Sequence, residues 1–113
     1  MSRIQIKRGS QNTIGDKCRM LILNKGYFAL VDKTDYDWLV GWTWKAKRAS
    51  HCYYAVRKST HYGKTIQVKM HRAITQCPKD KVVHHRNGDS LDNRRVNLKV
   101  CSPEEHHLLH KEI

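Results

Sequence analysis

Short aromatic and β-branched runs, separated by polar turns, occupy the chain between residues 20 and 70. Runs at 20–23 and 27–31 flank Asn24-Lys25-Gly26, whose glycine can take the positive φ of a tight turn, and therefore predict a β-hairpin. Residues 35–40 predict a short helix that ends before Gly41. Three further runs predict a three-stranded antiparallel sheet, at 42–47, 52–58 and 65–70.

The last third of the chain has a different pattern. Residues 81–85 and 96–100 predict two strands that are joined through a polar, turn-rich loop. Ser102 then fits a helix N-cap, and Pro103 fits the first helical position. Glu105 falls at position N3, where it can complete a capping box with Ser102. The sequence thus predicts an α+β fold, in which a small antiparallel β-sheet region is followed by a C-terminal ββα unit.

Histidines are concentrated on these last elements. His84 and His85 end the first strand, and because successive side chains of a strand point to opposite faces, we expect the two to have different roles. His106 and His110 lie four residues apart on the helix and so share one face. A histidine pair with this spacing is typical of a site that grips a transition metal.

Charge indicates the partner. The 113 residues include 22 Lys and Arg against 10 Asp and Glu, which gives a formal net charge of +12. An excess of this size in so small a protein favours a polyanionic partner, and nucleic acid is the commonest one. Contacts to its phosphate backbone are best assigned to the cations of the predicted sheet, Lys45, Lys47, Arg57 and Lys69.

Aromatic residues of the same sheet allow two interpretations. Trp42, Trp44, Tyr53 and Tyr54 either stack on nucleic-acid bases or fill the core. We expect most of them to fill the core, because a small domain with one Phe and three Trp needs most of its aromatic side chains there.

Length and cysteine spacing define the class of protein. A chain of 113 residues predicts one domain. We divide it into a flexible basic arm (1–16), a β-rich nucleic-acid-binding platform (17–78) and the ββα unit (81–113). Four dispersed cysteines without a CxxC pair, together with an N-terminus unlike a signal peptide, favour a reduced, intracellular and cytoplasmic protein. No run reaches the roughly 18 apolar residues of a membrane helix, so we expect no membrane partner.

The spacing of the last third resembles a known family. His85 is followed after eleven residues by Asn97, after eight more by His106 and after three more by His110. This spacing resembles the HNH, or His-Me finger, nuclease motif, whose ββα-metal fold grips one divalent cation. The resemblance covers roughly residues 81–113. The segments YYAVR, MHRAI, HHRNGDSLDNRRVNL and VDKTDYDWLVGWTW further resemble small HNH proteins of phages and homing endonucleases, from about residue 20 onward.

This resemblance implies a metal-dependent DNA endonuclease. It makes His85 the general base that activates water and places Asn97 close enough to hydrogen-bond the base and hold its ring. His84 and His106 fall at metal-ligand positions, and His110 matches a third histidine ligand of the bacteriocin DNase branch. We assign DNA contacts to five arginines, of which the last two are expected to clamp phosphates from the loop: Arg57, Arg72, Arg86, Arg94 and Arg95.

One departure from the family bears on the metal. Many phage and homing members have Asp and Asn where this chain has His84 and His106. Carboxylate and amide oxygens suit Mg²⁺, whereas imidazoles favour Zn²⁺, Ni²⁺, Co²⁺ or Mn²⁺. The sequence therefore predicts one divalent ion and leaves open whether it is Mg²⁺, Mn²⁺ or a transition metal.

Two other functions remain open at this point. One is a non-catalytic DNA-binding or metal-stabilised accessory module, which the intact His85 disfavours. The other is a structural zinc domain, which needs a closed shell of four ligands where three are visible. For the nuclease, a monomer would nick one strand and a homodimer could cut both, in a protein encoded by a phage or by its host cell.

Overall fold

The computed structural model describes residues 17–111, and the side chains of residues 17–108. Three antiparallel sheets of two, three and two strands, together with three short helices, make up an α+β fold. The predicted basic arm, residues 1–16, lies outside the described residues. Within the described part, no helix has the length and apolar character that crossing a membrane requires.

The first hairpin forms where the turn residues predict it. Strand β1 (Cys18–Ile22) pairs antiparallel with β2 (Phe28–Asp32). Lys25 and Gly26 take positive φ values of 57° and 83° in the turn between them. Helix α1 (Lys33–Leu39) begins directly after β2 and buries Leu39 completely against the core. The predicted hairpin and short helix are both confirmed.

The middle of the chain forms the predicted three-stranded sheet. Strands β3 (Lys45–Ala49), β4 (Cys52–His61) and β5 (Lys64–Lys69) lie in that order, and each pair is antiparallel. Helix α2 (Met70–Thr75) starts immediately after β5. It buries His71 in its first turn, at the junction between strand and helix.

The last third contains two strands and a helix, in the predicted order. Strand β6 (Val82–His85) pairs antiparallel with β7 (Leu98–Cys101), which a single 3₁₀ turn precedes, and helix α3 (Pro103–Lys111) follows. The capping box is present in full. Ser102 N–H donates to Glu105 Oε1 at 2.9 Å, and Glu105 N–H donates to Ser102 Oγ at 3.1 Å.

The loop between β6 and β7 is joined to the first hairpin. Leu30 N–H donates to the carbonyl of Leu91 at 2.9 Å, and Asn93 N–H donates to the carbonyl of Leu30 at 2.7 Å. Ser90 Oγ donates to the carbonyl of Tyr53 in β4. Side chains from both parts of the chain share one apolar core, for example Val31, Leu39, Ile74, Val83 and Leu98.

An ion pair makes the same connection with α1. The guanidinium of Arg95 donates through Nε and Nη2 to both carboxylate oxygens of Asp35, at 2.9 Å each. Asp35 is only 2 % exposed, and its other hydrogen bond comes from Trp38 Nε1. The pair therefore supplies most of the compensation that a buried carboxylate requires.

We expect Arg95→Ala to lower the free energy of unfolding by about 1–3 kcal/mol, because the buried carboxylate of Asp35 loses its charged donor. Urea unfolding followed by tryptophan fluorescence measures this change. Arg86→Ala, which removes an exposed arginine, serves as the control and should stay within about 0.5 kcal/mol of the wild type. Adding Asp35→Asn to Arg95→Ala should recover part of the loss, and equal stability of Arg95→Ala and Arg86→Ala would contradict this account.

Candidate active site

Strand β6 directs its two histidines to opposite sides, as the alternation of a strand predicts. His84 meets His106 of α3, with ring centroids 5.3 Å apart and ring planes at 71°. His85 lies on the other side, where its centroid is 5.2 Å from that of His71 and 6.3 Å from that of Tyr54. Both histidines are 9 % exposed. Each imidazole thus has a separate environment in which to act.

A buried amide holds the His85 ring. Asn93 Oδ1 lies 2.9 Å from His85 Nε2. An amide oxygen only accepts hydrogen bonds, so Nε2–H donates and the lone pair of the ring stays on Nδ1. Burial lowers the pKa of His85, and this effect exceeds those of the hydrogen bond to Asn93 and of the charges of Asp89 and Asp92, which raise the pKa. Burial thus favours the neutral imidazole, the form that accepts a proton.

Asn97 has a different task from the one expected of it. Its Nδ2 donates to Asn87 Oδ1 at 3.0 Å and to the carbonyl of Asp92 at 2.8 Å, and its Oδ1 accepts from Asn87 N–H at 2.9 Å. The expectation that Asn97 hydrogen-bonds to the His85 ring is therefore corrected by the structure, in which Asn93 makes that bond. Asn97 joins the two ends of the β6–β7 loop, and its catalytic role stays a prediction.

Asn93 belongs to the polar, turn-rich loop that the sequence predicts between the two strands. Asn93 is fully buried, and its Nδ2 is a buried donor without a partner among the described residues. The residue becomes significant only because its backbone binds Leu30 of β2, which fixes the direction of its side chain. No local pattern in the sequence reports such a contact.

Two further aromatic groups complete the surroundings of His85. The His71 and Tyr54 rings lie 5.3 Å apart by centroid. Burial lowers the pKa of His71 from 6.5 to about 3, with smaller contributions from His85, Lys69 and Arg72. The pKa of Tyr54 is raised to about 12, mainly by burial and to a smaller extent by its hydrogen bond with Cys52. Both groups are therefore neutral at pH 7, and neither adds a charge beside His85.

The three expected metal ligands come from two elements. His84 on β6 and His106 on α3 are close enough for their rings to contact. His110 follows His106 one turn later on α3, but its side chain lies outside the described residues. Among the side chains of residues 17–108, no group of three or more His, Cys, Asp or Glu is arranged to hold a metal ion. The described site thus contains a pair of imidazole donors.

Comparison with known proteins bears on this same segment. A family model described as HNH endonuclease matches residues 75–108. We call residues 75–108, which are similar to this family, the HNH segment. This segment includes the histidine pair of β6, the whole β6–β7 loop and His106, and it ends before His110. No curated protein and no solved structure matches the chain significantly.

Most of the arginines assigned to DNA are engaged within the protein. Arg94 makes a bidentate pair with Asp92, at 2.8 and 2.6 Å, as Arg95 does with Asp35. Arg72 donates to the carbonyls of Lys81 and Pro78 and so connects α2 to the start of the HNH segment. Arg94 and Arg95 are therefore ion-paired instead of open on the loop, and their role as phosphate clamps stays a prediction.

The remaining two arginines differ in their surroundings. Arg57 stacks its guanidinium over the Trp42 ring, 4.3 Å from the centroid. Arg86 is exposed, and it directly follows His85 at the end of β6. Of the five arginines, Arg86 therefore has the position most suited to a phosphate that lies beside the HNH segment.

A row of lysines crosses the three-stranded sheet towards Tyr54 and His85. Lys45, Val56 and Lys69 are directly opposite one another on β3, β4 and β5, and Lys47 is opposite Tyr54, so these side chains share one face. Lys69 Nζ lies 6.0 Å from the centroid of the Tyr54 ring, which in turn neighbours His85. Arg57, one residue after Val56, lies on the opposite face. We call Lys45, Lys47, Lys58 and Lys69 the lysine face.

The pKa of His71 predicts a pH-dependent stability. Its folded pKa of about 3 lies below the ordinary value of 6.5, so the unfolded chain takes up the proton more readily. The stabilisation is complete above pH 6.5 and is lost as the pH falls towards 3, by up to about 1.4 kcal/mol per pH unit for this one proton. Burial of His85 adds to the same trend.

We expect His71→Phe to reduce the pH dependence of the free energy of unfolding by the contribution of one proton. Urea unfolding at pH 7.5 and pH 4.5 measures this change. Phe keeps an aromatic ring in the pocket but cannot titrate. His51→Phe, at an exposed position in the β3–β4 turn, is the matched control and should leave the wild-type dependence intact. An unchanged pH dependence in His71→Phe would show that this histidine is not a source of the effect.

Proposed function

We propose that the protein is a metal-dependent endonuclease that hydrolyses phosphodiester bonds in DNA. One observation carries the proposal: within the HNH-family segment, a buried imidazole held by an amide lies on one side of β6, and a pair of imidazoles lies on the other. A general base and a set of metal-binding donors are the two components that this hydrolysis requires.

In this proposal His85 acts as the general base. Its neutral ring takes a proton from water as the water oxygen forms a bond to phosphorus, and the bond from phosphorus to the 3′ oxygen breaks. The hydrogen bond to Asn93 fixes the ring and keeps the proton on Nε2, which leaves Nδ1 to accept. His71 and Tyr54 exclude water from the remainder of the ring and contribute no charge of their own.

The metal is proposed from the chemistry of the donors. His84 and His106 would hold it, with His110 as a third ligand from the next turn of α3. When bound, a divalent ion supplies positive charge that stabilises the developing charge on phosphate oxygens. Imidazole donors favour Zn²⁺, Ni²⁺, Co²⁺ or Mn²⁺ over Mg²⁺. Fewer than four protein ligands would leave positions for substrate and distinguish this centre from a structural zinc site.

DNA would approach across the lysine face. The face ends at Tyr54, beside His85, so a phosphate backbone lying on it passes the proposed base. Arg86 extends the positive charge beyond β6. Asp92, one of the two carboxylates whose charge acts on His85, is paired with Arg94 and therefore repels the substrate less.

A non-catalytic DNA-binding module is the second candidate. It is favoured by the lysine face, which can bind a polyanion without a metal. Such a module would keep the lysine face and bind DNA without cutting it. The two candidates differ in turnover, which one experiment decides.

We expect the metal-stripped protein to convert supercoiled plasmid to nicked or linear forms once Mg²⁺, Mn²⁺, Ni²⁺ or Zn²⁺ is restored. His85→Ala should lower the rate at least about 100-fold, because it removes the base. His51→Ala, which removes an exposed histidine outside the HNH segment, is the control and should cut normally. Nicked product indicates action by a monomer, and linear product formed directly indicates a homodimer.

His84→Ala and His106→Ala test the metal independently of activity. Each should weaken binding of Ni²⁺ or Zn²⁺ about tenfold or more in calorimetric titration, whereas His51→Ala should not. Cutting that persists in His85→Ala would exclude the proposed base. DNA binding without cutting in any metal would favour the non-catalytic module.

The lysine face gives a separate prediction about affinity. Lys47→Gln and Lys69→Gln should each weaken binding of duplex DNA and reduce the slope of log affinity against log salt by about 1, because each removes one phosphate contact. Fluorescence anisotropy at several salt concentrations measures both quantities. Lys79→Gln, in the exposed loop after α2, is the control. Equal slopes in all three variants would mean that DNA does not bind on this face.

A further inference from the structure

Two tryptophans are exposed next to the three-stranded sheet. Trp42 is 46 % exposed and Trp38 is 38 % exposed, and their rings meet edge to face with centroids 6.1 Å apart. Trp44, by contrast, is 3 % exposed and donates from Nε1 to the carbonyl of Leu39 at 2.9 Å. The expectation that these aromatics fill the core therefore holds for Trp44 and is wrong for Trp42.

An arginine extends the aromatic surface of Trp42. The guanidinium carbon of Arg57 lies 4.3 Å from the centroid of Trp42 and 5.7 Å from that of Trp44. Arg57 Nε is buried and has no hydrogen-bond partner among the described residues. Stacking on the two rings is thus the contact that orients this guanidinium, which leaves a planar cation beside a planar ring.

Trp42 and Arg57 line an open groove of about 590 Å³ along β3. Its lining side chains include six cations and no carboxylate, the cations being Lys25, Lys45, Lys47, Arg48, Arg57 and Lys58. A groove of this volume can hold a ligand of nucleotide size. Its charge selects a polyanion, and its exposed indole selects a ligand with a flat aromatic face.

We propose that this groove binds an unpaired, single-stranded stretch of nucleic acid, with one base stacked on Trp42 and the flanking phosphates on the lysines. In a duplex the faces of the bases are covered by their neighbours, so only an unpaired base can use the indole surface. The groove shares Lys45, Lys47 and Lys58 with the lysine face. The inference therefore rests on the proposed function, in which it gives the enzyme a site for a locally unpaired strand.

Binding without cleavage tests the proposal. Fluorescence anisotropy in EDTA compares labelled oligothymidylate, oligouridylate and a blunt DNA duplex. Trp42→Ala should weaken binding of the single strands about tenfold and change duplex affinity less than about twofold. The slope against salt should not change, because the indole contacts no phosphate. Tyr62→Ala, which removes a fully exposed aromatic in the β4–β5 turn, is the matched control and should bind all three normally.

Two conservative variants separate stacking from charge and from folding. Trp42→Phe keeps an aromatic ring and should retain most of the single-strand affinity. Arg57→Lys keeps the charge but loses the planar guanidinium, and should weaken the single strands severalfold. In the wild type, oligothymidylate should quench tryptophan fluorescence, and most of this quenching should vanish in Trp42→Phe.

Equal losses on single strands and duplex in Trp42→Ala, or wild-type quenching in Trp42→Phe, would overturn the proposal. A Trp42-dependent preference for oligothymidylate or for oligouridylate supports it and identifies the strand as DNA or RNA. All of these binding measurements are made in EDTA, so an absence of nuclease activity would not change the conclusion about the groove. Loss of the groove's preference, conversely, leaves the nuclease test unaffected.

Discussion

Placement of the candidate base depends on one buried amide. Asn93 binds the His85 ring through its side chain and the carbonyl of Leu30 through its backbone N–H. Asn93 lies within the segment matched by the HNH family model, but strand β2, which lies outside that segment, holds Asn93 in place. The ion pair between Arg95 and Asp35 strengthens the same junction. Orientation of His85 is in this sense a property of nearly the whole described fold.

The arrangement also explains how so basic a protein distributes its few acidic residues. Asp35 and Asp92 are 2 % and 3 % exposed and pair with arginines, and Asp32 accepts from the backbone of Arg95 at 3.0 Å. These carboxylates fix the β6–β7 loop and do not neutralise the positive charge of the surface. The lysines of the sheet consequently keep their full positive potential, which raises the rate at which a polyanion is encountered.

Elements with local signals were predictable from the sequence. The hairpin turn at Gly26 and the capping box of Ser102 and Glu105 depend on neighbouring residues, and the divergence of His84 and His85 follows from strand geometry alone. The partner of the His85 ring was not predictable, because Asn93 acquires that role through Leu30, 63 positions earlier in the chain. Exposure of Trp42 was missed for a related reason, since composition reports how many aromatics a core needs but not which ones.

The contacts between the β6–β7 loop and the first hairpin have a consequence for synthesis. They join residues about 60 positions apart, such as Arg95 with Asp35, and contacts of high sequence separation form late in folding. On the ribosome, the hairpin and the three-stranded sheet emerge first, before the loop and strands that complete the shared core. The site around His85 assembles only after the loop and α3 have followed. The lysines of the sheet are therefore synthesised well before the proposed catalytic centre, which is complete only once translation has passed His106.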